Sequence, residues 1–207
     1  MDGVLVDGEP LHFEAVNELM AEEGRSITLE AYKPYMGTKA GWTEMIRDFG
    51  LSRSKDEYGA RYRELILQRY RERSVALPGA SDLVKSLRRH GQLMAVASSS
   101  IQPWVEACLD RIGLRDQFDA LITGSDVVNG KPDPEIYQMA ARRLGVLTRD
   151  CLAFEDAPAG IQSAKAAGMT VWAVRTEYTR GLALPDPHRE FDSLTDVELD
   201  AIVGVAA

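Results

Sequence analysis

The sequence predicts an α/β fold: a parallel sheet covered by helices on both faces, with an all-helical segment inserted into it. Three observations carry this. From Leu77 onward, a unit of helix, glycine stop, short apolar run and polar loop recurs. The apolar runs are continuous rather than alternating, which marks strands buried on both faces. Nothing between His12 and Arg73 alternates like a strand, so that block reads as helical throughout. The expected organisation is a core of residues 1–7 and 77–207, with a helical domain of residues 8–76 inserted. A chain of 207 residues has room for such a core and a smaller insertion.

The elements follow in order. Residues 12–23 carry Phe13, Val16, Leu19 and Met20 at helical spacing, with Gly24 as a stop. Residues 28–35 form a short helical stretch ending near Gly37. Residues 41–49 repeat the pattern with Trp42, Met45, Ile46 and Phe49, closed by Gly50. Residues 54–73 are the longest periodic stretch, with Tyr58, Tyr62, Leu65, Ile66 and Tyr70 at three- and four-residue steps. After Leu77-Pro78-Gly79, a helix over 81–90 stops at Gly91 and leads into a strand over 93–97 and then Ser98-Ser99-Ser100. A helix over 103–112 stops at Gly113 and precedes a strand over 120–123 and a loop through Lys131. Asp133 as N-cap and Pro134 in the first turn open a helix over 134–144, stopped by Gly145. A strand over 151–154 runs into Glu155-Asp156. A helix over 157–167 stops at Gly168 before a strand over 169–174. Residues 179–192 read as loop and 195–203 as a final helix. Glycine at four successive helix ends fits the left-handed residue favoured there.

Composition narrows the function. With 24 Lys and Arg against 32 Asp and Glu, the net charge is −8, and no basic run occurs. That argues against a nucleic-acid or membrane-surface partner. A small anionic substrate stays compatible, because the field inside a cleft can oppose the net charge. Cys108 and Cys151 lie far apart and read as small buried residues, with no disulfide framework, which fits a reducing cytoplasm. No stretch approaches the roughly twenty apolar residues of a membrane span, and no signal segment opens the sequence.

In parallel sheets, ligands bind beyond the carboxyl ends of the strands. Ser98, Asp126, Lys131, Glu155 with Asp156, and Arg175 gather at those ends. Asp156 alone reads equally as the N-cap of the next helix. A second adjacent carboxylate suits Mg2+, which takes oxygen ligands. The Ser98–Ser100 run is either a polar turn or a hydroxyl with backbone N–H groups facing an oxyanion. Lys131, stiffened between Gly130 and Pro132, is a better candidate for holding a phosphoryl charge than a solvated lysine. Asp2-Gly3 and Asp7 read as a tight turn and a helix cap. His12, His90 and His188 make no zinc spacing, and His90 at a helix end reads as structural.

The order of these blocks is more specific than any one of them. DGVLVDGEPLH, a helical insert, LPG, SSS, GKPDPEIY and FEDAPAGI together resemble the haloacid dehalogenase-like superfamily, more narrowly its branch of β-phosphoglucomutase and small-molecule phosphatases. The resemblance runs from Met1 to about Thr179. It implies a Rossmann-like three-layer core and an inserted helical cap that closes over the site. It further implies an Mg2+-dependent phosphatase acting on a small phosphorylated metabolite through an aspartyl-phosphate. Asp2 would be general acid and then base, and Ser98 would hold the transferring oxygens. Lys131 would neutralise charge there, and Asp2, Glu155 and Asp156 would hold the metal. Ser99, His12 and Lys39, the last with Gly37 and Thr38 in the cap loop, would contact substrate. Gly8 departs from the Ser or Thr usual at its position. The nucleophilic aspartate would stand directly before Met1 on an apolar strand, so a start upstream of Met1 is expected. The alternatives are a sugar phosphomutase, or an inactive phospho-ligand-binding or truncated form. A cytoplasmic monomer or weak dimer completes the expectation.

Overall fold

The computed structural model describes residues 1–35 and 41–203, which form two compact units, Met1–Asp7 with Arg73–Ala207 and Gly8–Glu72. Among its described residues the Gly8–Glu72 unit contains no strand. Its helices are α1 (Glu9–Ala21), α2 (Leu29–Tyr32), α3 (Gly41–Phe49) and most of α4 (Lys55–Arg73). α1 begins three residues before the spacing predicts, because Pro10 suits a first turn. α2 is shorter than expected. Thr28 Oγ1 caps it by accepting from the Ala31 amide at 3.3 Å, and a 3-10 turn over Lys33–Tyr35, which contains Pro34, ends it. Val16, Leu19, Met20, Tyr32, Met45 and Tyr58 form this unit's core. Trp42 stacks on Tyr58 with ring centroids 4.7 Å apart. Burial, followed by the bond its hydroxyl donates to Glu23, pushes the Tyr58 phenol up to about 12.

The other unit alternates helix and strand: α5 (Ala80–Arg89), β1 (Ala95–Ala97), α6 (Gln102–Arg111), β2 (Ala120–Ile122), α7 (Glu135–Leu144), β3 (Leu152–Glu155), α8 (Pro158–Ala166), β4 (Thr170–Val174), β5 (Arg189–Phe191) and α9 (Leu199–Val203). All strand pairs are parallel. β1 pairs with β2, Ala97 opposite Ile122, while β3, β4 and β5 form a second sheet with Glu155 opposite Ala173. β4 shows why its run from Val171 to Val174 is apolar. Trp172 and Val174 pack into one cluster with Val84 of α5 and Leu109 of α6, and Val171 and Ala173 into another with Ile136 of α7 and Ile161 of α8. With successive side chains pointing to opposite faces, a strand covered on both sides needs apolar residues at every position. β3 divides in the same way, Phe154 against the first cluster and Ala153 within the second. β1 and β3 both line an apolar cavity of about 650 Å3, through Val96 and Ala97 on one side and Ala153 and Phe154 on the other.

The expected glycine stops hold: Gly91, Gly113, Gly145 and Gly168 all have positive φ. Two expectations for the C-terminal part need correction. The stretch over 179–192 contains β5, whose pairing with β4 runs through Trp172 opposite Arg189 and the Arg175 amide donating to the Phe191 carbonyl at 2.8 Å. The sequence gives no strand signal here, since Arg189-Glu190-Phe191 shows no apolar run; the backbone pairing and the contact of Phe191 with Trp172, ring centroids 5.4 Å apart, hold it against β4. The helix over 195–203 is split: Ser193 Oγ caps a 3-10 turn over Leu194–Asp196, and α9 starts at Leu199. Both cysteines are free thiols. Burial raises both, Cys108 to about 12, so neither is a thiolate nucleophile at neutral pH. No helix of the described residues is long and apolar enough to cross a membrane.

Leu109 is fully buried between α6 and the sheet. Leu109→Ala is expected to lower unfolding free energy by about 2–5 kcal/mol, through lost transfer energy and a residual cavity. Urea unfolding with an unchanged m-value checks it.

Candidate active site

Two strands end at the same place. β1 finishes at Ala97 and β3 at Glu155, and the Lys131 ammonium reaches both, donating to the Ala97 carbonyl at 3.0 Å and to Glu155 Oε1 at 2.5 Å. The lysine loop is held in turn. Asp133 Oδ1 accepts from the Glu135 amide at 2.9 Å at the start of α7, and Ser163 Oγ of α8 donates to the Asp133 carbonyl at 2.6 Å. The cap therefore comes from Asp133, as expected, although Pro134 occupies the N-cap position itself.

Glu155 is 6% exposed. Burial alone would raise its carboxyl, but the Lys131 charge and the bonds from Lys131 and the Tyr137 hydroxyl outweigh it, and the net shift is downward. Asp156 differs. α8 starts at Pro158 after Ala157 and has no side-chain cap, so the capping reading of Asp156 does not hold. Its carboxyl packs on the turn after Asp2, where a Cβ on Gly3 would lie 2.0 Å from Asp156 Oδ2. Gly3 also has a φ of 73°, so the turn demands glycine on both counts. Desolvation, then the Glu155 charge and more weakly that of Asp2, raise Asp156 to about 7. Lys131 bonds Glu155 directly, whereas Asp156 is crowded by two other carboxylates and only partly relieved by the Met1 ammonium.

That imbalance bears on a metal. The donors are all oxygen, which suits Mg2+, and a cation would relieve the repulsion that raises Asp156. The fit lies with Asp2 and Asp156. Glu155 Oε1 is committed to Lys131 and Tyr137, and among the described residues no three His, Cys, Asp or Glu side chains are grouped as a ready metal cage.

The serine run contributes on the β1 side. Ser98 is buried, its amide donates to the Ile122 carbonyl at 2.9 Å, and its Oγ accepts from the Ser100 amide at 3.2 Å. Ser100 Oγ donates to Asp2 Oδ2 at 3.4 Å. Ser99 is exposed, and its carbonyl passes 2.3 Å from where a Cβ on Gly124 would be. Asp2, Ser98, Lys131, Glu155 and Asp156 are thus gathered. His12 lies in the Gly8–Glu72 unit, with its ring nitrogens bonded to the Tyr62 and Tyr70 hydroxyls at 2.7 and 2.9 Å. Lys39, Gly37 and Thr38 fall outside the described residues.

Two strand-end residues take local roles. Asp126 accepts from the amide and hydroxyl of Thr123, at 2.8 and 2.7 Å. Arg175 pairs with Glu190 and donates to the Thr179 and Leu182 carbonyls. His90 bonds the Ser86 carbonyl, as its helix-end position suggests. Sequence reasoning missed Ser100 and Tyr137. Ser100 sat unremarked in the serine run. Tyr137 closes the GKPDPEIY block, six residues after Lys131, where a helical turn brings it back beside the lysine.

Comparison with known proteins identifies the family. The family model for haloacid dehalogenase-like hydrolases matches residues 1–168. The phosphorylated carbohydrates phosphatase of Thermotoga maritima is 32% identical, over 82% of this chain and 79% of that protein. The fructose-1-phosphate phosphatase YqaB of Escherichia coli is 34% identical, over 84% of this chain and 93% of its own length. The crystal structure of CbbY from Rhodobacter sphaeroides in complex with phosphate superposes with a TM-score of 0.83 at 28% identity, covering 95% of this chain and 92% of that one.

Gly160→Ala separates two opposing effects. Alanine in a helix ordinarily gains about 1 kcal/mol over glycine. Here its Cβ would lie 2.1 Å from the Glu155 carboxylate, and overpacking of that kind costs about 1–3 kcal/mol. The expected outcome is a lower melting temperature. For Asp126, the Thr123 hydroxyl and amide hold the carboxyl below its ordinary 3.8. Its stabilisation is therefore present above about pH 4 and lost as pH falls through the folded value. Asp126→Asn, which keeps an acceptor oxygen, should lose less stability than wild type on acidification from about pH 5 to about pH 2, measured by melting temperature against pH.

Proposed function

The chain belongs to the haloacid dehalogenase-like hydrolases, and from that premise we propose that it is an Mg2+-dependent phosphatase of a small phosphorylated metabolite, working through an aspartyl-phosphate. The observation that carries the reading is the meeting of Lys131, Glu155, Asp156, Asp2 and the serine loop where β1 and β3 end. Phosphoryl transfer asks a protein mainly for positioning and charge stabilisation, and these groups supply both. Lys131 offsets charge on the transferring oxygens, and the Ser98 hydroxyl with the loop amides orients them. Asp2 protonates the leaving oxygen and then takes a proton from the attacking water. Asp2 and Asp156 would hold Mg2+, with Glu155 adjoining. When bound, the ion neutralises phosphoryl charge as a Lewis acid.

The Gly8–Glu72 unit takes the role of a cap, which excludes water during transfer and selects substrate. His12, its nitrogens engaged by two tyrosines, serves that unit's packing rather than a direct substrate contact. Several relatives carry names of phosphatases of phosphorylated sugars, which favours a sugar phosphate as substrate. The same relatives favour hydrolysis over a phosphomutase or a non-catalytic binder. A cytoplasmic location suits a metabolite substrate.

The test is phosphate release from p-nitrophenyl phosphate and a panel of sugar phosphates, by the protein with whatever residues its gene encodes before Met1. Turnover is expected with Mg2+ and is expected to disappear with EDTA. Asp2→Asn should lower kcat by about 10^2–10^4. A cooperatively folded protein that binds sugar phosphates without releasing phosphate would sink the hydrolase reading. Isomerisation that depends on a bisphosphate activator would replace it with the mutase.

A further inference from the structure

We propose that Tyr137 is the positioning residue for Lys131, holding the ammonium at the end of β1 so that Glu155 does not draw it away from the phosphoryl site. The kinetic consequence rests on the phosphatase reading above; the geometry does not.

An ammonium has three donors, and Lys131 has three partners: the Ala97 carbonyl at 3.0 Å, Glu155 Oε1 at 2.5 Å and the Tyr137 hydroxyl at 3.3 Å. The phenol works in both directions, since its own hydrogen is donated to the same Glu155 Oε1. The ammonium also lies 4.8 Å from the centroid of the Tyr137 ring, within the range of a cation–π contact. Tyr137 is itself buried in the core on α7, at 6% exposure, so its hydroxyl cannot swing to solvent. Lysine carries a compact charge on a flexible four-carbon stem. The loop bonds of Asp133 fix where that stem starts, and the tyrosine and its neighbours fix where it ends.

Without the hydroxyl, Lys131 is the remaining side-chain donor on Glu155 Oε1 among these groups. A buried carboxylate with one donor fewer pulls harder on the donor it keeps. The ammonium would shift toward Glu155, away from Ala97 and the serine loop. Displacements on that scale are expensive in an oriented site.

Tyr137→Phe tests this, because it removes one oxygen and keeps the ring. Hydrolysis should fall about tenfold or more in kcat with KM within about twofold, while the melting temperature changes little. A merely structural role would lower the melting temperature and leave kcat per folded molecule as it was. A second readout does not need activity. Acetic anhydride labelling of Lys131, normalised to exposed Lys85, should fall by about twofold or more in Tyr137→Phe, as the ammonium pairs more closely with buried Glu155. Unchanged labelling together with unchanged kcat overturns the proposal. If neither protein hydrolyses phosphate esters but the labelling drops, positioning stands and the phosphatase reading falls. Where Tyr137→Phe gives no cooperative melt, the wild type decides. With 13C-labelled tyrosine, the Tyr137 hydroxyl proton should appear as a slowly exchanging resonance, and rapid exchange with solvent overturns the proposal.

Discussion

A lysine and a glutamate, both nearly removed from water, meet where two parallel strands stop, and the functional half of this fold depends on that pair. Lys131 and Glu155 have side-chain exposures of 11% and 8%. At such depth, attraction alone does not repay desolvation, and a pair persists only where further hydrogen bonds satisfy the remaining donors and lone pairs. The surroundings meet that demand. β1 offers the Ala97 carbonyl, α7 offers the Tyr137 hydroxyl, and the Asp156 amide lies 3.3 Å from Glu155 Oε2. Gly160 of α8 leaves room for the carboxylate. Removing either charge would strand the other, so the strand ends, two helices and the lysine loop are all constrained by one contact.

The same pair creates an asymmetry beside it. With Lys131 committed to Glu155, Asp156 is left buried beside that carboxylate, and its raised value records the desolvation and the crowding. A protein gains nothing in stability from such crowding. Groups shifted by desolvation and a specific neighbour at the mouth of a sheet are characteristic of working sites. A family that transfers phosphoryl groups needs both halves of this arrangement: a fixed positive group for the phosphoryl oxygens, and oxygen donors for a hard cation.

The helical unit is organised differently. Its interior is aromatic and aliphatic, and its polar bonds tie helices to one another. Tyr58 donates to Glu23, His12 bridges Tyr62 and Tyr70, and Glu22 pairs with Arg53 and Arg61. The Glu22 pairs are partly exposed, a setting in which ion pairs add little. This unit's order rests on its core, which is consistent with a module whose loops can vary while its framework stays.

Much of this was legible in residues taken in order. Helix ends could be read because glycine tolerates the left-handed conformation a helix end requires. β3 and β4 could be read because a strand buried on both faces needs apolar residues at every position. The motif order located Asp2, Ser98, Lys131, Glu155 and Asp156; Ser98 follows β1 directly, and Glu155 and Asp156 stand at the end of β3. Other features leave no local trace. β5 exists through backbone bonds to β4, and Arg189-Glu190-Phe191 carries no pattern of its own. Asp156 alone read equally as a helix cap or a metal ligand, and the start of α8 at Pro158 without a side-chain cap removes the first. Tyr137 carried no role in the sequence reading, and only the approach of Lys131 and Glu155 from separate segments gives its hydroxyl a purpose. By itself the sequence determined which groups stand at strand ends, because chain direction and periodicity are local. Which of those groups neutralise one another, and which are left charged, was decided only by the tertiary structure, because electrostatic pairing depends on distances between residues far apart in the chain.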